Sequence, residues 1–121
     1  MKQCLIVDDS RVIRKIARRI LEELKFTIEE AEDGASALDL CRRKMPEAVL
    51  LDSHMPNLSG VEFLRTLRRE PSGDKPVIIL CTTENDVAYI TEAIGAGANE
   101  YLIKPFDRVL VQAKFEEAGL L

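Results

Sequence analysis

Val49-Leu50-Leu51-Asp52-Ser53-His54-Met55-Pro56 is an apolar run that stops abruptly on a carboxylate. Entered from Pro46 and left through Pro56 and Gly60, it suits a strand buried on both faces of a parallel sheet. Asp52 then stands at the strand's carboxyl end, the edge along which open α/β sheets bind ligands. A turn or helix-cap aspartate accounts equally well for the residue taken alone. The flanking segments decide between the two readings.

Towards the N-terminus the same pattern recurs. Cys4 to Val7 is a short apolar run ending on Asp8 and Asp9, and Ser10 is placed to cap a helix. Ile13, Ile16, Ala17, Ile20, Leu21 and Leu24 recur at steps of three and four, the apolar stripe of an amphipathic helix. That helix is expected to end near Lys25, where glycine would be the easier left-handed cap. Thr27 to Ala31 reads as a weaker, more exposed strand, and Asp33-Gly34 as a turn. Ala35, Leu38 and Cys41, with Arg42, Arg43 and Lys44 after them, make a second helix stopped by Pro46.

Beyond Asp52, Pro56 and Asn57 open a loop, and Val61, Phe63, Leu64 and Leu67 form a third helix broken by Pro71, Ser72 and Gly73. Val77 to Cys81 is the longest apolar run and the predicted central strand, ending on Thr82 and Thr83. Val87, Ile90, Ala93 and Ile94 fit a fourth helix closed by Gly95 and Gly97. Tyr101-Leu102-Ile103 is a fifth strand ending on Lys104 and Pro105, and Asp107 can cap a last helix carrying Leu110 and Ala113. Strand and helix alternate five times, the pattern of an α/β domain with a parallel sheet and right-handed crossovers.

With 121 residues the chain is expected to form one domain, able to bury roughly two-thirds of its unfolded surface without a staple. Cys4, Cys41 and Cys81 are odd in number and set among apolar neighbours, so they read as core residues in a reducing compartment. No apolar run approaches a membrane span and no signal-peptide pattern comes after Met1, which points to the cytoplasm. A net charge of -4 argues against a general nucleic-acid binder. The clusters Arg11, Arg14, Lys15, Arg18, Arg19 and Arg65, Arg68, Arg69 read as solvated helix faces.

The strands end on Asp8 and Asp9, on Asp52, on Thr82 and on Lys104, groups that converge if the strands lie side by side. Carboxylates about 4 Å apart repel by roughly 4 kcal/mol per pair at intermediate dielectric, so such a cluster needs a cation or protons. Oxygen-only ligands with few protein donors suit Mg²⁺. Lys104 adds a second positive charge. A carboxylate flanked by a metal ion, an ammonium and a hydroxyl has its pKa depressed, which makes it a poor general base. The same neighbours equip it as a phosphoryl acceptor, because they offset charge on the transferred group's oxygens.

Asp8-Asp9, Asp52, Thr82, Tyr101 and Lys104-Pro105-Phe106, each near a strand end and in this order, resemble the receiver domain of two-component response regulators over the whole chain. Arg14 to Phe26, Glu29 to Gly34 and Gly97 to Phe106 resemble in particular the stand-alone, CheY-like chemotaxis receivers. The resemblance implies a flavodoxin-like, CheY-like fold: a five-stranded parallel sheet of order 2-1-3-4-5 with five helices. It implies Asp52 as phosphoacceptor, with Mg²⁺ held by Asp9, Asp8, Asp52 and the His54 backbone carbonyl. Thr82 would turn its hydroxyl to the phosphate, Lys104 would pair with a phosphate oxygen, Tyr101 would change rotamer, and Lys104-Pro105 would be cis. His54 and Glu84 would flank the path of water to the acyl phosphate and set its lifetime.

Such a protein is no enzyme in the ordinary sense; at most it promotes its own phosphorylation and dephosphorylation. Its implied partners are a histidine kinase or phosphotransfer protein and a downstream protein met by the face of the fourth helix, fifth strand and fifth helix. A single receiver domain over residues 1–121, without output domain, nucleic-acid or membrane partner, and monomeric, is the expectation. A chemotaxis or motility pathway, a phosphorelay shuttle and a phosphate sink all fit these residues, as does a receiver-like module that works without phosphorylation. The sequence departs from CheY-like chains at Ser53 and His54, where tryptophan and asparagine are frequent, and at Lys25. A phosphatase of the haloacid dehalogenase type would need an aspartate where His54 stands. A flavin-type module would need a phosphate loop in place of Asp8-Asp9-Ser10-Arg11, whose carboxylates repel phosphate.

Overall fold

Each apolar run becomes a strand in the computed structural model, which describes residues 2–55, 58–83 and 87–121. In chain order the elements are β1 (Gln3–Val7), α1 (Arg11–Glu23), β2 (Thr27–Ala31), α2 (Gly34–Arg43) and β3 (Ala48–Asp52). They continue as α3 (Gly60–Arg68), β4 (Val77–Thr82), α4 (Val87–Ala96), β5 (Glu100–Ile103) and α5 (Arg108–Glu117). The five strands are parallel, in the order β2-β1-β3-β4-β5.

Alternate residues of the inner strands feed two cores. Leu5, Val7, Val49, Leu51, Ile78 and Leu80 pack beneath α2, α3 and α4, while Cys4, Ile6, Leu50, Ile79 and Cys81 pack beneath α1 and α5. Burial on both faces is why these strands read as unbroken apolar runs rather than alternating ones. Edge strand β2 is less covered, with Ile28 buried in one core, Ala31 in the other, and Thr27 and Glu29 exposed.

Side-chain caps start the helices, at Ser10 and Asp107 where the sequence places them and at Ser59 where it marks none. Ser10 accepts from the Ile13 N–H, Asp107 from that of Leu110, and Ser59 and Glu62 form a reciprocal capping box on α3. Asp33, expected in a turn, caps α2, and Gly34 is already helical, packed where a Cβ would come 2.5 Å from Leu58. Lys25 takes the left-handed conformation after α1 at φ 72°, a place where a β-carbon costs free energy.

Two helix faces differ from the periodicity reading. On α1, Ile16 is 45 % exposed and the buried residues are Ala17, Ile20 and Leu21. On α5, Leu110 faces solvent, whereas Val111 and Phe115, one turn apart, reach the sheet. Phe115 meets Phe26 edge to face at 5.3 Å, and Leu120 closes that core. A short outer helix touches the sheet along one line, so a rotation of one residue changes which side chains are buried.

Nor is Arg68 a solvated residue. Its guanidinium donates to the carbonyls of Gly97 (3.1 and 2.6 Å), Gly73 (2.9 Å) and Pro76 (2.8 Å) and to the Asn99 side chain (3.1 Å), joining the ends of α3 and α4. The three cysteines are free and buried. Among the described residues no helix is long and apolar enough to cross a membrane.

Candidate functional site

Parallel register brings the strand ends level. Val7 pairs with Leu51, Asp52 with Cys81 and Thr82 with Ile103, so the residues that end each run share one edge of the sheet. Backbone bonds continue past the strands: Asp8 N–H to the Ala31 carbonyl (3.1 Å), Ser53 N–H to Cys81 (2.8 Å) and Lys104 N–H to Thr82 (2.8 Å). The Lys104-Pro105 peptide is cis, as expected.

On this edge the carboxylate oxygens of Asp8, Asp9 and Asp52 lie within 4.8 Å of one another. Asp8 and Asp52 are buried and Asp9 is exposed. The Lys104 ammonium bridges the buried pair, 2.7 Å from Asp8 Oδ2 and 3.0 Å from Asp52 Oδ1. Asp8 Oδ1 accepts the Ser10 N–H at 2.8 Å, which fixes its rotamer against the start of α1.

One ammonium serves two of the three carboxylates, and the balance shows at Asp52. Burial raises the pKa of Asp52; its hydrogen bond and charge interaction with Lys104 oppose this, and the charges of Asp8 and Asp9 add to it. The expected depression is therefore not met with Lys104 as the counter-charge, because burial, with the charges of Asp8 and Asp9, outweighs that ammonium. For Lys104, burial pulls the pKa down, but hydrogen bonds to Asp8 and Asp52 outweigh it and raise the value, so the ammonium stays charged. Excess negative charge and an all-oxygen donor set, two members buried and one open to solvent, fit a hard divalent cation that keeps several waters.

Thr82 is buried at the end of β4, one residue beyond the partner of Asp52. Tyr101 is half-buried on β5 opposite Leu80, with the Lys114 Nζ 4.9 Å from its ring centroid. His54 is exposed, and its ring lies 5.5 Å from that of Tyr89 on α4 rather than in the acidic cluster. Glu84, with Pro56 and Asn57, falls outside the described residues.

Sequence reasoning missed three supporting residues. Arg14 donates to the Asp8 carbonyl at 2.6 Å and to Glu30 at 3.0 Å, while Arg18 reaches Glu30 at 2.6 Å. The only trace of this is the one-turn spacing of the two arginines opposite an acidic strand. Tyr89 donates its hydroxyl to the Ser53 carbonyl at 2.8 Å, a bond to backbone that no sequence pattern marks.

A family profile described as the response regulator receiver domain matches residues 4–116. Response regulator MprA of Mycobacterium sp. (strain KMS) is 42% identical over 102 residues, covering 84% of this chain and 44% of MprA. The chain thus spans less than half the length of the curated relatives it matches. Among solved structures, the chemotaxis response regulator CheY4 of Vibrio cholerae superposes with a TM-score of 0.92 at 28% identity, over 98% of both chains. The receiver domain of sensor histidine kinase PA1611 from Pseudomonas aeruginosa PAO1, solved with a magnesium ion in its active-site cleft, superposes with a TM-score of 0.87 at 28% identity, again over 98% of both.

Proposed function

Because the chain belongs to the response regulator receiver domain family, we propose that it accepts a phosphoryl group on Asp52 from a histidine kinase or phosphotransfer protein and thereby switches protein–protein binding. The observation that carries this reading is the Lys104 ammonium bridging two buried carboxylates inside a three-carboxylate cluster. Asp8, Asp9, Asp52 and the His54 backbone carbonyl would hold Mg²⁺, the ion named for the PA1611 neighbour. When bound, Mg²⁺ would supply positive charge against the phosphoryl oxygens.

In the step itself an Asp52 carboxylate oxygen attacks phosphorus as the bond to the leaving group breaks. The leaving group departs with the bonding electron pair and takes up a proton from its surroundings. Lys104 exchanges its carboxylate contact for a phosphate oxygen, and the Thr82 hydroxyl turns to another. Added charge at Asp52 draws Thr82 and its loop inward, Tyr101 changes rotamer, and the face of α4, β5 and α5 presents a different surface to a target. Moving such a two-state element from about 1:99 to 99:1 takes roughly 5.5 kcal/mol of differential interaction. The likeness to CheY4 supports a chemotaxis or motility target.

Intact mass after incubation with Mg²⁺ and acetyl phosphate tests the chemistry, with Asp52→Asn as control. The expected result is a Mg²⁺-dependent gain of one phosphoryl group, absent in the variant. No gain, with Mg²⁺ and beryllofluoride both failing to bind, would overturn the reading and leave a receiver-shaped interaction module.

A further inference from the structure

We propose that Tyr89 is a positioning residue that ties α4 to the acceptor loop, so that occupancy of the Asp52 site and the placement of α4 are coupled through the Ser53 carbonyl. The inference rests on the reading of Asp52 as acceptor and Mg²⁺ ligand. Its basis is that a hydroxyl on the first turns of α4 ends on the backbone of the residue next to Asp52, at 2.8 Å.

Ser53 is held by its main chain. Its N–H donates to the Cys81 carbonyl of β4, and its carbonyl accepts from both the Gly60 N–H of α3 (3.1 Å) and the Tyr89 hydroxyl of α4. Its own hydroxyl is buried and has no hydrogen-bond partner among the described residues. α3 is pressed close: a Cβ on Gly60 would stand 3.0 Å from the Asp52 carbonyl oxygen and 3.2 Å from the Ser53 Cα. The peptide after Asp52 therefore cannot tilt without α3 or α4 yielding. Of these two anchors, only the Tyr89 hydroxyl belongs to a side chain, which can swing on its own rotors.

A tyrosine serving only as packing would send its hydroxyl to solvent or to its own helix. Tyr89 instead reaches across to the end of β3, and its ring also meets the exposed His54 ring at 5.5 Å. It thus contacts both residues directly after the acceptor. Coupling of this kind is reciprocal: whatever moves α4, a bound target included, alters the affinity of the Asp52 site for its ligands by the same factor.

The chain has two tyrosines and no tryptophan, so Tyr101→Phe leaves Tyr89 as its single long-wavelength fluorophore. Titrating that variant with Mg²⁺ and then beryllofluoride is expected to change Tyr89 emission along the binding curve that calorimetry gives for the same protein. Tyr89→Phe keeps the ring and loses only the hydroxyl. It is expected to bind Mg²⁺ roughly ten-fold more weakly by calorimetry, the ordinary effect of losing a partner that orients a metal site. Tyr89 emission that stays flat while calorimetry saturates would overturn the proposal, and so would a folded Tyr89→Phe that binds Mg²⁺ like the parent protein. The parent protein separates the two ideas. If it binds Mg²⁺ and beryllofluoride while both Tyr89 readouts are silent, the coupling alone fails; if it binds neither, the acceptor reading fails and the coupling with it.

Discussion

Arg14 and Glu30 show how residues outside the acidic cluster hold a residue inside it. Glu30 lies on edge strand β2, binds both Arg14 and Arg18, and through Arg14 reaches the Asp8 carbonyl. Burial alone would raise the Glu30 pKa, but hydrogen bonds and charge from Arg18 and Arg14 outweigh it and hold it below the usual range. A carboxylate depressed in the folded state stabilises the fold above its unfolded pKa of about 4.3, and this contribution is lost as pH falls through the folded value. Glu30→Gln is therefore expected to cost about 1 kcal/mol in urea unfolding at pH 7. The cost should shrink as pH falls from 7 through the folded-state value of Glu30; a cost that stays constant across that fall would mean packing, not charge, is what was lost.

Among the elements, α4 ends on a glycine turn that another helix pins. Its C-terminal turn runs into Gly97 at φ 122°, and the Gly97 carbonyl is bound by Arg68 of α3. Five N–H groups in a planar fork reach three carbonyls and an amide oxygen, a geometry that three ammonium hydrogens on a flexible stem do not reproduce. Arg68→Lys is expected to lower the unfolding free energy by about 2 kcal/mol, from lost bonds to partly buried carbonyls. Hydrogen exchange should show the extra opening at Gly97, Ala98 and Asn99 first; a uniform loss of protection would place the damage elsewhere.

The same contrast explains what could be read in advance at this scale. Strands β1, β3 and β4 were plain because burial on both faces enforces apolar runs, and a carboxylate or hydroxyl ending such a run is conspicuous. Asp8, Asp9, Asp52, Thr82 and Lys104 all belong to that class. Arg14, Arg68 and Tyr89 bind backbone atoms, which carry no residue identity, so nothing at the partner position betrays them. The faces of α1 and α5 were misread at Ile16 and Leu110 because their rotation is set by the sheet beneath and not by the helix's own pattern.

For the whole molecule, the two cores on either side of the sheet enclose one thiol on α2 and two on the inner strands. Burial pushes the Cys4 thiol up to about 12 and, with the Glu29 charge, Cys41 up to about 11, while Cys81 is likewise raised by burial. Native protein at pH 8 is expected to leave all three unreactive towards an aromatic disulfide reagent, with modification only after global unfolding in urea. Rapid labelling of one thiol in buffer would reveal a core that opens locally.

The bridge between Asp8 and Lys104 joins residues 96 apart, across every intervening crossover, and it depends on β5 pairing with β4. During synthesis the three acidic residues leave the ribosome long before the ammonium that neutralises them. The acidic edge of the sheet therefore gains its counter-charge only with the last strand, and a stalled or clipped chain that lacks it holds the carboxylates without their ammonium.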